Sequence, residues 1–314
     1  MNKSDNPIFI TGATGFLGSW IIAGLVDRGL RVVATDISDD HARLAQLRPD
    51  LPKNLVDFRC CDVTDAAALD ALVTETEPTA IVHLAALQIP LCAARPALGA
   101  AVNIGGLINV FEAARKFGIR RVVYTSSIAA KPRGPMNAPS NFYGVFKKTG
   151  EEIARLYWHD HGQPSLGLRP YILYGVGRDD GETSAITRAI EAAALGRAYE
   201  IPFTTRGSFQ YAGDIAEVFI RAAQATWEGA LISDVSETVH STADVQAAIR
   251  AVVPEARIEV APTVRVSPAE DFDTAPLREV IGNWAELPLG EGIRRTIDLY
   301  RRIAMPGMAP EMSV

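Results

Sequence analysis

Cysteine is scarce in this chain: three in 314 residues, at Cys60, Cys61 and Cys92. Two of them are adjacent and make no plausible clip, which argues against a disulfide framework. Neither sign of charge dominates. With 31 Lys and Arg against 37 Asp and Glu the net charge is −6, which gives no reason to expect nucleic acid or an anionic membrane as partner. Long hydrophobic runs are also missing: no apolar run reaches the ~18 residues of a membrane span. The opening, MNKSDNPIFI, has no long apolar region of the signal-peptide kind. Internal repeats and low-complexity segments are absent. The expectation is a soluble cytoplasmic protein with no membrane or nucleic-acid partner and no metal site. What is present is a globular composition, 48% apolar and 22% charged, in a length that fits one large or two modest domains.

Short apolar runs alternate with amphipathic stretches as far as Arg169. The runs are Ile8–Ile10, Arg31–Thr35, Val56–Cys60, Ala80–His83, Arg121–Thr125 and Ser165–Arg169. Helical patterns lie between them, such as Phe16–Arg28 ending before Gly29 and Val102–Phe117 ending before Gly118, each with glycine as its stop. Thr64 reads as the N-cap of DAAALDALVTE. Such alternation predicts parallel strands with helices on both faces. Later helical patterns fall at Ser184–Leu195, Asp214–Ala225 and Thr242–Val252. The predicted organisation is a nucleotide-binding unit over 1–172, a mainly substrate-binding part over 173–304 with segments returning to the core, and a loose tail over 305–314.

The segment IFITGATGFLGSW sets Gly12, Gly15 and Gly18 between the first strand and the first helix. Gly12 permits the tight turn, Gly15 lets backbone amides approach a pyrophosphate, and Gly18 lets the helix pack closely, so that its N-terminus faces the phosphates. Asp36 ends the second strand. A carboxylate there accepts hydrogen bonds from the adenosine ribose and repels a 2′-phosphate, and no arginine follows directly, so the expected cofactor is NAD. Asp62 and Val63, after the third strand, meet the adenine or simply open a helix. In NFYGVFK, Tyr143 and Lys147 share one helical face. An ammonium favours the phenolate, which suits the pair to moving a proton on and off a substrate hydroxyl.

Together these segments resemble the extended short-chain dehydrogenase/reductase family, in its NAD-dependent epimerase/dehydratase group, almost from end to end. TGATGFLG, with Thr14, Phe16 and Leu17, resembles the cofactor loop. HLAA carries Leu84, Ala85 and Ala86, and AVNIGG carries Asn103, with Gly106 where the family has Thr. YTSS and YGVFK resemble the catalytic Ser and Tyr-x-x-x-Lys segments. LRPYILYGVGR has Val176 in place of a Pro, and FQYAGDIAEVFIRA has Tyr211 in place of a His. The C-terminal IGNWAELPLGEGIRRTIDLY completes the likeness. The resemblance implies an α/β fold: a Rossmann-type doubly wound parallel sheet with a smaller C-terminal α/β substrate-binding part. It implies an NAD-dependent enzyme with Tyr143 as general base or acid, Lys147 lowering its pKa and holding the nicotinamide ribose, and Ser127 bonding the reacting oxygen. Ser126 supports the backbone, and Asn103 supports the site or merely packs its helix. Two copies are expected to pair through the helices that contain Asn103 and Tyr143.

Family dehydratases follow the catalytic Ser or Thr with an Asp-Glu pair. Here Ile128, Ala129 and Ala130 follow Ser127, which argues against dehydration. Nucleotide-sugar epimerases carry an Asn at the place of Ile172 and an Arg at the place of Gly207, both facing the substrate diphosphate. Without those donors a buried diphosphate loses hydration uncompensated. The expected substrate is therefore a smaller polyol, sugar, sugar acid or lactone, interconverted between secondary alcohol and ketone or between lactol and lactone. The alternative is a nucleotide-sugar epimerase working through a transient keto intermediate on tightly held NAD. A non-catalytic NAD sensor fits less well, because Tyr143 and Lys147 are both kept. Substrate-side candidates, besides Ser127, are Gln88, Thr183, Ser184, Arg188, Arg206 and Gln210. Lys148 reads as solvated, and Glu217 with Arg221 as a surface pair.

Overall fold

A computed structural model describes residues 6–52, 54–133, 141–268 and 270–304 of the chain; the expected loose tail lies outside them. The strands are β1 (Ile8–Thr11), β2 (Val32–Asp36), β3 (Val56–Cys60), β4 (Ala80–His83), β5 (Val122–Thr125), β6 (Ser165–Arg169), β7 (Ile172–Tyr174), β8 (Tyr199–Ile201), β9 (Arg206–Gly207), β10 (Phe209–Tyr211), β11 (Ala230–Asp234), β12 (His240–Ser241) and β13 (Ile258–Val260). The helices are α1 (Phe16–Asp27), α2 (Ala42–Leu47), α3 (Ala66–Thr76), α4 (Ile89–Ala94), α5 (Pro96–Ala100), α6 (Gly106–Phe117), α7 (Phe142–His161), α8 (Ala185–Ala194), α9 (Ala212–Gln224), α10 (Thr242–Val252), α11 (Ala275–Ile281) and α12 (Leu289–Ala304).

Seven strands form one sheet in the order β11-β6-β5-β4-β1-β2-β3, with every pairing parallel. This is the doubly wound arrangement that the alternating runs imply, and its last strand comes from well beyond residue 172. Parallel strands buried on both faces need continuous apolar sequence, and β1 and β4 are buried at every position. Ile21, Ile22 and Leu25 of α1 and Val218 and Phe219 of α9 cover one face, and Leu69 of α3 and Val110 and Phe111 of α6 cover the other. A separate cluster around Ile186, Ile190, Ile249 and Ile297 holds the second lobe together, with β7, β8, β10 and β13 at its margins. Strand order reverses between β1 and β4. Their C-terminal ends open the crevice where ligands bind in sheets of this type.

Two local expectations are corrected. The N-cap of α3 is Asp65, whose carboxylate accepts from Ala68 N at 3.0 Å. Thr64 is drawn instead into a turn closed by Asp62, which accepts from both Thr64 N and Thr64 Oγ1 at 2.8 Å. Glu217 and Arg221 do not pair with each other: Glu217 meets Arg28 of α1, and Arg221 donates to the carbonyls of Ile281 and Asn283. Helices α5 and α6 run on through a π-turn at Ala101–Gly105 as one helix, Pro96–Phe117, of mean hydropathy 1.4. By length and composition alone it is long and apolar enough to cross a membrane, although Asn103, Asn109 and Glu112 interrupt it and leave no continuous apolar run. Its apolar side, however, is the core face of a sheet helix: Leu107, Val110, Phe111, Ala113 and Ala114 are buried.

Candidate active site

A cleft of about 500 Å³ opens at the C-terminal ends of β1 and β4. Gly12, Thr14, Gly15, Phe16, Leu17, Gly18, Asp36, Asp62, Val63, Leu84, Ala85 and Ala86 all line it. The glycines are demanded by contact. Gly12 has φ +71°, and a Cβ there would lie 2.6 Å from Ala85 N; one on Gly18 would lie 2.5 Å from Gly12 O. Gly15 begins α1 with no side-chain cap, which leaves the helix amides facing the cleft. The Asp36 carboxylate is held by Thr14 N (3.1 Å) and Ile37 N (2.8 Å). Gly106 also has a steric reason: a Cβ there would sit 2.6 Å from Val63 Cγ2, and nearby Asn109 Nδ2 donates to Val63 O at 2.8 Å. Asn103 lies in the π-turn and clamps the loop after β4, accepting from Leu87 N (2.7 Å) and donating to Leu87 O (3.0 Å). It stands behind the cleft wall.

Ser127 and Tyr143 line the cleft's middle. Ser127 caps a single 3-10 turn at Ile128–Ala130, accepting from Ala129 N at 3.1 Å. Helix α7 begins at an Asn141 cap, with Oδ1 accepting from Gly144 N at 2.8 Å. Gly144 carries no side chain to separate α7 from the Ala129 carbonyl, and so Tyr143 is brought beside the Ser127 turn. One turn on, Lys147 is buried under the wall, donating to the Thr125 carbonyl at 2.6 Å, with its Nζ 5.6 Å from the Tyr143 ring centre. Burial pushes the Tyr143 phenol up to about 12, opposed by the hydrogen bond from Ser127 and the charge of Arg178. Burial also brings Lys147 down to about 8. Arg178 is thus a second cation beside Tyr143, in addition to the Lys147 that the sequence pattern singles out. Ser126 Oγ donates to Glu151 at 2.6 Å, and Arg169 holds both oxygens of the same carboxylate.

His83, at the end of β4, faces Thr11 Oγ1 at 2.7 Å in the core. Burial, then the Lys147 charge, depresses it to about 3. A base depressed on folding leaves the native state intact above the unfolded value near 6.5 and weakens it as pH falls toward 3. The gap corresponds to several kcal/mol. Denaturant titrations at pH 7 and pH 4 are expected to show a smaller acid loss in His83→Gln than in the unsubstituted protein; equal losses would place the acid sensitivity elsewhere.

The structure divides the substrate-side candidates. Gln88 and Thr183 line the cleft; Ser184, Arg188, Arg206 and Gln210 do not. Ser184 is buried behind the wall. Arg188 turns back to the Asp179 carbonyl (2.7 Å), and Arg206 is exposed and paired with Glu270 at 2.9 Å. Gln210 is buried in β10, where it accepts from Tyr171 N at 2.9 Å and so fixes Tyr171 in the wall. Lining residues that sequence reasoning missed include Arg43, Arg133, Tyr171, Arg178 and Arg265. Tyr171 and Arg178 both stand in the LRPYILYGVGR segment, which was the one available signal.

The chain resembles known proteins along nearly its whole length. The model of the NAD dependent epimerase/dehydratase family matches residues 8–232. The chain belongs to this family. A UDP-glucose 4-epimerase of Mycolicibacterium smegmatis is 28% identical over 307 residues, 93% of this chain and 97% of its own length. The structure of Thermus thermophilus UDP-glucose 4-epimerase in complex with NAD superposes with a TM-score of 0.73 at 26% identity, covering 94% of this chain and 99% of that one. A partial-consensus L-threonine 3-dehydrogenase shares the fold with a TM-score of 0.81 at 24% identity, over 94% and 99% of the two chains.

Membership makes the protein an NAD-dependent enzyme, and the cleft fits that cofactor. The missing side chains at Gly12 and Gly15 and the uncapped α1 amides suit a pyrophosphate. Asp36 suits a ribose diol. Arg43, a cation of the same lining, is engaged with Asp179 (2.7 Å) and the Gly177 carbonyl (3.2 Å), so it offers little to a 2′-phosphate. When bound, NAD supplies a hydride acceptor. The remaining residues bind, orient and move protons.

Proposed function

We propose that the protein is an NAD-dependent oxidoreductase that interconverts a secondary alcohol and a ketone, or a lactol and a lactone, on a small free sugar, sugar acid or polyol. Tyr143 exchanges the hydroxyl proton, Ser127 holds the reacting oxygen, and Lys147 steadies the end of β5 behind them through the Thr125 carbonyl. The observation that carries this reading is the wall at Tyr171. A Cβ on Gly207 would lie 2.6 Å from the Tyr171 ring, so the ring fills the space that a longer side chain at 207 would need. Ile172, the other diphosphate-facing place, is 0% exposed and packed in the second lobe. No carboxylate occupies the Ile128–Ala130 turn, in keeping with a reaction other than dehydration.

The epimerase reading is favoured by the 28% identical relative, which is a UDP-glucose 4-epimerase. The two readings part in one assay. The protein is mixed with NAD and, separately, with free sugars, sugar acids and UDP-sugars, and absorbance at the NADH band is followed. NADH growth with a free sugar or sugar acid is expected. A UDP-sugar converted to its epimer without NADH would replace the dehydrogenase reading with the epimerase one. Phe142, Val145 and Leu156, apolar and exposed on α7, support pairing of two copies across that helix.

A further inference from the structure

Among the described residues four donors of the cleft lining are shut off from solvent and have no partner: Arg178 Nε, whose guanidinium lies against the Phe16 ring of the cofactor loop, and Arg133 Nε, Arg265 Nη1 and the Tyr171 hydroxyl. The last three come from three distant parts of the chain. Arg133 follows the Ser127 turn and bridges backbone to Pro268; Tyr171 precedes β7; and Arg265 lies on the strand-like segment that bridges Thr204 to Val264. Nothing local brings them together, so their convergence beside Ser127 and Tyr143 is a property of the tertiary fold.

The charges do not balance. Arg265 is 91% buried as a side chain, since 9% remains exposed; it pairs through Nε with Glu182 at 3.0 Å and lies 5.8 Å from the Phe203 ring centre. Arg133 has no carboxylate partner among the described residues, and burial first, then the like charge of Arg265, disfavours its charged form. Two guanidinium groups thus stand beside one another with a single carboxylate pair between them, that of Arg265 with Glu182. A buried charged donor without an acceptor is costly. A guanidinium fork fits the paired oxygens of a carboxylate or phosphate better than any neutral group.

We propose that the substrate carries an oxyanion, a carboxylate or a phosphate ester, held by Arg133, Arg265 and the Tyr171 hydroxyl while its reacting hydroxyl meets Tyr143. This rests on the oxidoreductase reading above and deepens it: the arginines that select the substrate are Arg133 and Arg265, whereas Arg188 and Arg206 point elsewhere. The cation between Phe16 and Tyr143, Arg178, is left to the cofactor side and the reacting centre.

The test measures binding apart from turnover. Protein saturated with NADH, which cannot accept a hydride from an alcohol or lactol, is titrated calorimetrically with glucuronate, gluconate, glucose 6-phosphate and the neutral sugars glucose and sorbitol. Anionic members are expected to bind at least about 10- to 100-fold more tightly than neutral ones, the range of one charge-assisted hydrogen bond. A preference for the acids identifies a carboxylate, and a preference for the phosphate identifies a phosphate ester; both support the site. Arg133→Met is expected to erase the preference while NAD affinity is unchanged. Tyr171→Phe, which keeps the ring and the fold, is expected to weaken anion binding about 5-fold. Equal binding of neutral and anionic members, no anion binding, or an unchanged preference in folded Arg133→Met or Tyr171→Phe protein would overturn the proposal. Selective anion binding with no NADH growth in the assay with NAD would leave the anion site standing and count against the oxidoreductase reading instead.

Discussion

Tyr143→Phe is expected to lower turnover by about 10²- to 10⁴-fold, the usual contribution of a positioned acid–base group, with the fold and NAD affinity retained. The substitution removes one oxygen. The ring keeps its packing against Cys92, Ala129 and Phe146, and α7 keeps its Asn141 cap. What is lost is the group that exchanges the hydroxyl proton beside Ser127. The phenol of the resting site is pushed up to about 12 by burial, so it is neutral near pH 7 and gains from every cation that approaches it. The measurement is steady-state kcat with the substrate found in the NADH assay, paired with a thermal melt and an NAD titration. Full turnover in a folded Tyr143→Phe protein would remove Tyr143 from the chemistry and leave Ser127 and Lys147 without a proton carrier.

How much of this was legible in the sequence depends on how far apart the contributing residues lie. The glycine turn, Asp36 and the Tyr143–Lys147 pair each report a local geometry, strand to helix or one helical turn, and the structure sets all but Lys147 along one cleft. The parallel sheet was legible for the same reason: each strand is a short apolar run closed by its own turn. The substrate wall follows a different rule. Arg133, Tyr171 and Arg265 meet only because bridges at Arg133–Pro268 and Thr204–Val264 fold a late segment over an early turn, and no spacing encodes that. Gln210 and Arg206 show the converse error. Both were substrate-side candidates by residue type, yet strand alternation sends Gln210 to the back of the wall and Arg206 to solvent beside Glu270. Thr64 and Asp65 were equally good caps by type, and only the Asp62 turn decides between them.

Glu151→Leu is expected to be the most destabilising single change among the charged residues, by about 3–5 kcal/mol. Glu151 is 0% exposed and takes both Arg169 donors, at 2.6 and 2.7 Å, together with the Ser126 hydroxyl. Removing it leaves the Arg169 guanidinium, only 16% exposed, without its carboxylate, and leaves a buried hydroxyl unpaired. The same carboxylate ties α7 to β6 and to the residue before Ser127, so the loss loosens the register between Tyr143 and Ser127. A denaturant titration gives the stability, and kcat at a temperature where the variant stays folded gives the positional effect. Replacing both partners, Glu151→Leu with Arg169→Met, is expected to recover most of the stability, because two apolar side chains avoid desolvating two charges. Its turnover should stay low, since Ser126 still lacks an acceptor. If the double variant were as unstable as the single one, the cost would lie in packing and the carboxylate would not be the tie. If the single variant lost under about 1 kcal/mol, the range of an exposed pair, the buried bridge would contribute no more than a surface contact, and the alignment of Ser127 with Tyr143 would have to come from the Asn141 cap and Gly144 alone.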